Sequence, residues 1–297
     1  MGELRHEKWA GTTYGTGWMH TWLIRLLRVT DVRVIYAVTD IFVLPPTLIF
    51  SGNGRRQSYH FARKGLGLGK WRAARHVWRN YRSFSRVVID RFASYAGKLP
   101  EIEIENFNVY QRLQRSSDGF VQISSHIGNY EMAGYALVSG KPIKAAVFGG
   151  EKGSVMASRD KIFSEHNISM VPVDGDLRHL FVFNAALDNG EVVSMPGDRV
   201  FGSNKSYRIP FLGSDATFPV GPFTLAAAKN VPMVFVAVMQ AKPGKCRIHI
   251  HEIKSPGLKS VRANAEGMAH DFVKALENIV RRYPAQWYNY FNIWADD

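Results

Sequence analysis

The sequence predicts an α/β fold: a mixed, largely parallel central sheet flanked by helices and preceded by amphipathic N-terminal helices. After Pro100, short apolar runs alternate with helical segments at the spacing typical of strand–helix units. Before Pro100, apolar and basic residues recur every three or four positions, as on the faces of helices. We expect residues 1–297 to form a single domain, in which a basic helical part, residues 1–100, packs on an α/β core, residues 101–297.

The individual elements follow from the same patterns. Residues 70–88 contain neither Pro nor Gly and predict a long helix. In the core, apolar runs predict strands at 120–125, 143–148, 168–173, 192–196, 233–240 and 246–253, and the intervening segments predict helices at 131–138, 155–166, 177–188, 221–229 and 261–282. Pro243 and Gly244 separate the last two strands, which indicates an antiparallel hairpin.

Composition excludes several classes of protein. With a single cysteine, the chain can form neither a disulfide scaffold nor a Cys-based zinc or iron–sulfur site, and we expect a reducing compartment.

Residues 1–20 show no secretory signal. The apolar stretch 34–50 contains Asp40, Pro45 and Pro46, so we interpret it as too short and too interrupted to span a membrane, but able to lie in a membrane surface.

The positive charge is concentrated at one end of the chain. The formal net charge is +13, and residues 1–100 carry 17 Lys or Arg against 5 Asp or Glu. Within the predicted helix at 70–88, arginines spaced by three and four form an arginine stripe beside an aromatic edge that includes Trp71, Trp78 and Tyr81. Either the aromatic edge packs on the core with the arginines in water, or the stripe binds nucleic acid, anionic lipid or an acidic protein. The stripe consists of Arg72, Arg75, Arg79, Arg82 and Arg86.

A histidine lies where a predicted buried strand ends and a helix begins. His126 follows the strand at 120–125, and reactive groups collect at the carboxyl ends of strands in open α/β sheets. Gly128 allows a tight turn, and Asn129 is expected to cap the next helix. Glu131, in the first turn of that helix, can fold back onto His126 and make the imidazole a general base. The alternative is a purely structural histidine at a strand end.

A second polar block follows another predicted strand. Asp198 and Arg199 lie just after the strand at 192–196, between Gly197 and Gly202. Because this is again a strand terminus, both side chains are expected beside the same cleft as His126. The alternative is a salt-bridged turn.

These residues resemble those of a known family. His126 to Glu131 resembles the His-x4-acidic motif of the glycerolipid acyltransferase superfamily, in the form found in bacterial lipid A late acyltransferases. The Pro-x-Asp segment ending at Asp198 is similar to the second block of that branch. Further similarities follow in the same order: Pro-Phe-x-Gly at 210–213, Ala-Thr at 216–217, an Ala-rich helix at 224–229 and Pro-x-Gln-Trp at 284–287.

The resemblance implies a glycerolipid-acyltransferase-like fold and a cofactor-free, metal-free acyl transfer. The acyl group would pass from an acyl thioester, acyl carrier protein or acyl-CoA, to a hydroxyl of a membrane lipid, such as a lipid A precursor. The implied location is the cytoplasmic face of the bacterial inner membrane, as a peripheral protein. The implied site residues are His126 as base, Glu131 as its partner, and Asp198, Arg199, Arg159 and Asn129 in substrate binding.

Arg159 is included because the chain reads Phe-Gly-Gly-Glu-Lys at 148–152, where the family often has Tyr-Arg. The arginine stripe would then dock the acidic acyl donor or the anionic membrane.

Other motifs in the sequence give weaker indications of a function. Gly65 to Trp71 lacks the glycine spacing and the Ser or Thr of a phosphate-binding loop. His249 and His251 share one face of a strand but have no third metal ligand in view, so no metal is expected. The chain has no Gly-x-Ser-x-Gly elbow. A basic membrane- or nucleic-acid-binding protein without catalysis is the alternative function, but nucleic-acid-binding motifs are missing and no nucleic acid partner is expected.

Overall fold

The N-terminal part of the molecule is helical. The computed structural model describes residues 17–137, 139–148, 163–173, 177–200 and 205–294. Its first helices are α1 (Gly17–Val29), α2 (Val32–Val38), α3 (Leu44–Phe50), α4 (Gly52–Lys64) and α5 (Lys70–Tyr95). A π-helical turn, Thr39–Val43, joins α2 to α3.

The apolar segment is therefore one continuous helical stretch, Val32–Phe50, and the expectation that it is interrupted is wrong. The backbone N–H of Leu44 bonds to the carbonyl of Thr39, five residues back, and Pro45 and Pro46 occupy the first turn of α3. Pro45 and Pro46 donate no N–H to the preceding turn, and the helical stretch accommodates them directly after the π-helical turn. By length and composition this stretch can cross a membrane, and only 22% of its apolar window is buried.

The buried face of α5 differs from the expected aromatic edge. Trp71 is 90% exposed and Trp78 is 42% exposed, whereas Tyr81 is buried. The buried face includes the polar residues His76 and Asn80, since the C-terminal segment packs there. Asn80 Nδ2 donates to the carbonyls of Ala285 (3.1 Å) and Trp287 (2.9 Å).

The core of the molecule is a seven-stranded sheet with flanking helices. The elements are β1 (Glu101–Glu105), α6 (Phe107–Arg115), β2 (Phe120–Ser124), α7 (Met132–Ala136), β3 (Ile143–Phe148), β4 (Ile168–Val173), α8 (Arg178–Asp188), β5 (Val192–Pro196), β6 (Ser206–Phe211), β7 (Ser214–Pro219), α9 (Gly221–Lys229), β8 (Met233–Lys242), β9 (Lys245–Ile253), α10 (Val261–Arg282) and a 3₁₀ turn (Pro284–Gln286). The strand order in the sheet is β1-β9-β8-β2-β5-β3-β4. Strands β8, β2, β5, β3 and β4 are parallel, β9 is antiparallel to β8, and β1 is parallel to β9. The α/β class and the final hairpin are therefore confirmed.

The structure contains elements that the sequence patterns did not predict. β1 is an additional edge strand, α6 is an additional helix, and β6 and β7 form a separate antiparallel hairpin. The helix expected at 155–166 lies mostly outside the described residues, of which 163–165 are helical. Apolar side chains cover both faces of the sheet, so its strand ends supply the open polar edge.

Candidate active site

The sheet register brings the two polar blocks together. β2 and β5 are adjacent and parallel, and Ser124 at the end of β2 pairs with Pro196 at the end of β5. His126 and Asp198 each lie two residues further along their chains. Parallel strands end at the same edge of a sheet, so the two side chains emerge side by side.

Asp198 binds His126 at two points. Asp198 Oδ2 accepts the backbone N–H of His126 at 2.8 Å, and Asp198 Oδ1 lies 2.9 Å from His126 Nδ1. Burial raises the pKa of the Asp198 carboxyl, but the charge and hydrogen bonds of His126 outweigh burial and leave this pKa below its usual value. An ionised carboxylate only accepts hydrogen bonds, so the neutral tautomer of His126 that this contact favours has its proton on Nδ1 and its lone pair on Nε2.

The histidine is the accessible member of this pair. The side chain of His126 is 30% exposed, and that of Asp198 is 2% exposed. A buried carboxylate that fixes the tautomer of a half-exposed imidazole is the arrangement a general base requires.

The loop after His126 is held by backbone contacts to β8 and to the C-terminal segment. Gly128 has φ +58°, and a Cβ atom there would lie 2.0 Å from the carbonyl oxygen of Val238. The N–H of Gly128 donates to the carbonyl of Gln286 at 2.7 Å, and the N–H of Tyr288 donates to the carbonyl of His126 at 2.9 Å. The Pro-x-Gln-Trp segment therefore has a structural role, because its backbone is hydrogen-bonded to the loop that carries His126.

Glu131 does not occupy the position expected of it. Its Oε2 lies 2.7 Å from Arg91 Nε on α5, and its side chain is 5% exposed. The imidazole Nδ1 is instead bound by Asp198. The contact of His126 Nδ1 in the structure is thus with Asp198, whereas Glu131 joins the loop to α5. The role of Glu131 as the residue that orients His126 stays a prediction.

Asn129 is fully buried and does not cap a helix. Glu131 immediately precedes α7, and the side chain of Asn129 donates from Nδ2 to Asp90 Oδ2 at 3.1 Å. The other oxygen of Asp90 accepts the hydroxyl of Tyr36. Burial raises the pKa of Asp90 to about 6. With 0% exposure, Asn129 is packed inside the loop, and its expected role in substrate binding stays a prediction.

Arg199 follows Asp198 directly and contacts the C-terminal segment. Its Nη2 donates to the carbonyl of Tyr288 at 3.2 Å, and its guanidinium lies 5.4 Å from the ring centre of Phe291. Its Nε is buried and has no hydrogen-bond partner among the described residues. The contact between Arg199 and Tyr288 was not predicted from the sequence, because the two residues are far apart along the chain. Arg159 lies outside the described residues.

The arginine stripe divides into two parts. Arg72, Arg75 and Arg79 are exposed and line a cavity. Arg82 and Arg86 lie 2.7 Å and 3.4 Å from Asp40 Oδ2 in the apolar stretch Val32–Phe50. Asp40 therefore compensates part of the charge of the stripe, and docking by the stripe stays a prediction.

The possible histidine metal pair is otherwise engaged. His249 Nδ1 lies 2.7 Å from Glu105 Oε2, and His249 Nε2 lies 3.2 Å from the hydroxyl of Tyr283. Burial lowers the pKa of His249. Among the residues that the structure describes, no group of three or more His, Cys, Asp or Glu is placed to hold a metal ion.

Comparisons with known proteins agree with the resemblance in the motifs. No curated protein sequence matches the chain. Among solved structures, the chain is similar to the 1-acyl-sn-glycerophosphate (LPA) acyltransferase PlsC from Thermotoga maritima, with 15% identity and a TM-score of 0.41 over 92% of this chain and 99% of that one. The family model for bacterial lipid A biosynthesis acyltransferases matches residues 83–295, which include both polar blocks and the C-terminal motif. The chain is therefore an O-acyltransferase and belongs to the bacterial lipid A biosynthesis acyltransferase family.

Proposed function

We propose that the chain transfers a fatty acyl group from an acyl thioester, carried by acyl carrier protein or CoA, to a hydroxyl of a membrane lipid, with a lipid A precursor as the first candidate. Family membership supports acyl transfer to a lipid. The observation that carries the mechanism is the two-point contact of Asp198 with His126 at the ends of β5 and β2. The alternative of a binding protein without catalysis is wrong, because the family is one of enzymes.

In the proposed reaction, His126 acts as general base. Its Nε2 removes the proton of the acceptor hydroxyl while the oxygen attacks the thioester carbonyl carbon. The tetrahedral intermediate then breaks its C–S bond, and the departing thiolate takes the proton back from the imidazolium. No acyl group becomes attached to the protein. Asp198 stabilises the imidazolium and keeps Nδ1 protonated, the part first expected of Glu131.

Arg199 is the proposed donor to the negative charge that develops on the thioester oxygen. Its guanidinium is placed next to Asp198 in sequence and is held by Tyr288, and its buried Nε–H has no partner in the described part of the chain. A buried donor without a partner is costly unless a ligand satisfies it. Fixed donors of this kind contribute about 10² to 10³ in rate.

We place the protein peripherally on the cytoplasmic face of the inner membrane. Lipid acceptors reside in a membrane, and the stretch Val32–Phe50 exposes large apolar side chains. Phe42 is 70% exposed and Phe50 is 84% exposed. Exposed apolar surface of this extent marks an interaction site.

The decisive experiment compares His126→Ala with His251→Ala, which replaces an exposed histidine on β9. Release of free thiol from acyl carrier protein and from CoA is followed in the presence of lipid acceptors, and mass spectrometry detects the acylated product. We expect His126→Ala to lose about 10² to 10⁴ in rate and His251→Ala to keep the wild-type rate. Full transfer by a folded His126→Ala protein would refute the mechanism. Lipids that gain an acyl chain on expression identify the acceptor.

A further inference from the structure

A second site is built on the side of α5 that faces the C-terminal segment. A cavity of about 520 Å³ lies there, and its walls include Arg72, Arg75 and Arg79 of α5 together with Arg282 at the end of α10. Leu66, Leu68 and Pro284 give it an apolar side. A volume of this size accommodates an organic molecule and exceeds the needs of a bare ion.

Three of the four arginines in this cavity have no counter-charge from the described part of the protein. Arg72, Arg75 and Arg79 form no ion pair within the ranges that the structure describes, whereas Arg282 forms a long ion pair with Glu105, at 3.9 Å. Further along α5, Arg82 has its own carboxylate, Asp40. Guanidinium groups gathered without counter-charges repel one another unless an anion joins them.

A residue that lines this cavity carries a buried polar atom without a partner. His76 is 5% exposed, lines the cavity, and has no hydrogen-bond partner for Nε2 among the described residues. An unpaired buried polar atom costs about 1–3 kcal/mol unless a ligand or water satisfies it. A ligand oxygen that reaches Nε2 removes this cost.

The N-terminus of α5 also favours the binding of an anion in this cavity. The helix begins after Gly69 with no side-chain cap, and its first turn contains no acidic residue. Leu68 and Arg72, on either side of this start, both line the cavity. The free N–H groups and the positive end of the dipole of a 26-residue helix favour an anion.

We propose that this cavity binds a phosphate-bearing substrate, with the phosphate held by Arg72, Arg75, Arg79 and Arg282 and the remainder of the ligand on the apolar side. The planar fork of arginine matches phosphate oxygens two at a time. Phosphate binding stands on the cavity alone; that the ligand is a substrate rests on the proposed function.

The cavity is joined to the candidate active site through one residue. Gln286 lines the cavity, and its carbonyl accepts the N–H of Gly128, two residues after His126. Its side chain exchanges hydrogen bonds with the backbone of Gln240 at 2.9 Å and 2.8 Å. A ligand in the cavity is therefore one residue removed from the loop that carries the proposed base.

The test uses the full chain and inorganic pyrophosphate, titrated by calorimetry in about 0.15 M NaCl. We expect saturable binding by wild type and by His126→Ala, and a loss of about tenfold or more in R75Q/R79Q and in R282Q. The matched control, R112Q/R281Q, removes two arginines that pair with Glu252 and Glu277 outside the cavity and should bind as wild type does. Thermal unfolding checks that each variant is folded. If R75Q/R79Q does not fold, R282Q, at the end of α10, tests the proposal in its place.

Competition then identifies the source of the phosphate. Displacement of pyrophosphate by CoA assigns the cavity to the acyl donor, and displacement by phosphatidic acid vesicles without displacement by CoA assigns it to the lipid. Absence of saturable binding, an equal loss in R112Q/R281Q, or displacement by neither compound overturns the proposal. Since binding is measured without turnover and also in His126→Ala, its failure is distinct from failure of the proposed reaction.

Discussion

Asp198 and His126 are joined by two hydrogen bonds, of 2.8 Å to the backbone N–H and 2.9 Å to the imidazole Nδ1. In Asp198→Asn the side-chain oxygen can still accept one of them, but the neutral amide can also donate to Nδ1 and favour the wrong tautomer. We expect kcat to fall about 10² to 10⁴ with little change in stability of the fold. Steady-state kinetics with a thioester donor measure it, and a wild-type kcat for Asp198→Asn contradicts the assignment.

Glu131→Gln should affect stability more than catalysis. The carboxylate pairs with Arg91 at 2.7 Å, and both side chains are largely buried. Removing one partner of a buried ion pair costs about 3 kcal/mol, because the other charge is left uncompensated. Urea denaturation of Glu131→Gln, Arg91→Met and the double variant measures the coupling. We expect the double variant to be more stable than the sum of single losses implies, and the folded Glu131→Gln protein to keep kcat within about tenfold of wild type. A larger loss of kcat than in Asp198→Asn restores Glu131 as the orienting residue.

The sequence identified both halves of the site but not their partnership. His126 and Asp198 were each predicted at a strand end, and the structure places both there. Their contact depends on β2 being next to β5 in register, and register between strands some 70 residues apart leaves no local signal. Glu131 is the carboxylate closest to His126 along the chain, and it was predicted to be its partner for that reason.

The missed elements have physical explanations of the same kind. β1 alternates Glu and Ile, and a sequence with three carboxylates is typical of a solvated segment. In the structure, Arg247 and Lys245 of β9 lie beside these carboxylates. The β6–β7 hairpin contains Pro210 within a strand, which is tolerated because only two strands pair there. Packing of Trp71 and Trp78 on the core was one of the alternatives for α5, but both are exposed, and the partner of α5 is the C-terminal segment, which bonds to Asn80.

Gly128→Ala should disrupt the loop that carries His126. The residue has φ +58°, and a Cβ there would meet the Val238 carbonyl oxygen at 2.0 Å, a backbone atom that cannot move aside cheaply. We expect a loss of about 3 kcal/mol or more in unfolding free energy and loss of acyl transfer. Gly140→Ala is the matched control, because nothing lies within 4 Å of its Cβ position. Urea denaturation of the two variants measures the difference, and equal stabilities contradict the observed loop geometry.

His76 should make the fold less stable in mild acid. Burial, aided by the charge of Arg79, lowers its pKa to about 4 from 6.5, so between these values the unfolded chain binds more protons than the folded one. Stability contributed by neutral His76 is therefore present above pH 6.5 and lost as pH falls toward 4. Between pH 7 and pH 5 the loss is about 2 kcal/mol.

The measurement compares wild type with His76→Gln by urea denaturation in phosphate-free buffer. Asp90, whose pKa is raised to about 6 by burial, gives the opposite slope between about pH 4 and pH 6, but it is present in both proteins and cancels in their difference. We expect the difference in unfolding free energy between the two proteins to change by about 2 kcal/mol between pH 7 and pH 5. An unchanged difference shows that His76 titrates normally.

Binding to membranes should depend on the apolar stretch Val32–Phe50. Phe42 and Phe50 are 70% and 84% exposed, and moving one such side chain from water into lipid contributes roughly 1.5–3 kcal/mol. We expect F42D/F50D to bind vesicles of mixed neutral and anionic lipid about 100-fold more weakly in a sedimentation assay. The matched control is L177D/F181D, two similarly exposed side chains at α8. Because the control removes a comparable exposed apolar area and adds the same charge, an equal loss in the control assigns binding to general hydrophobicity and contradicts a role for this stretch.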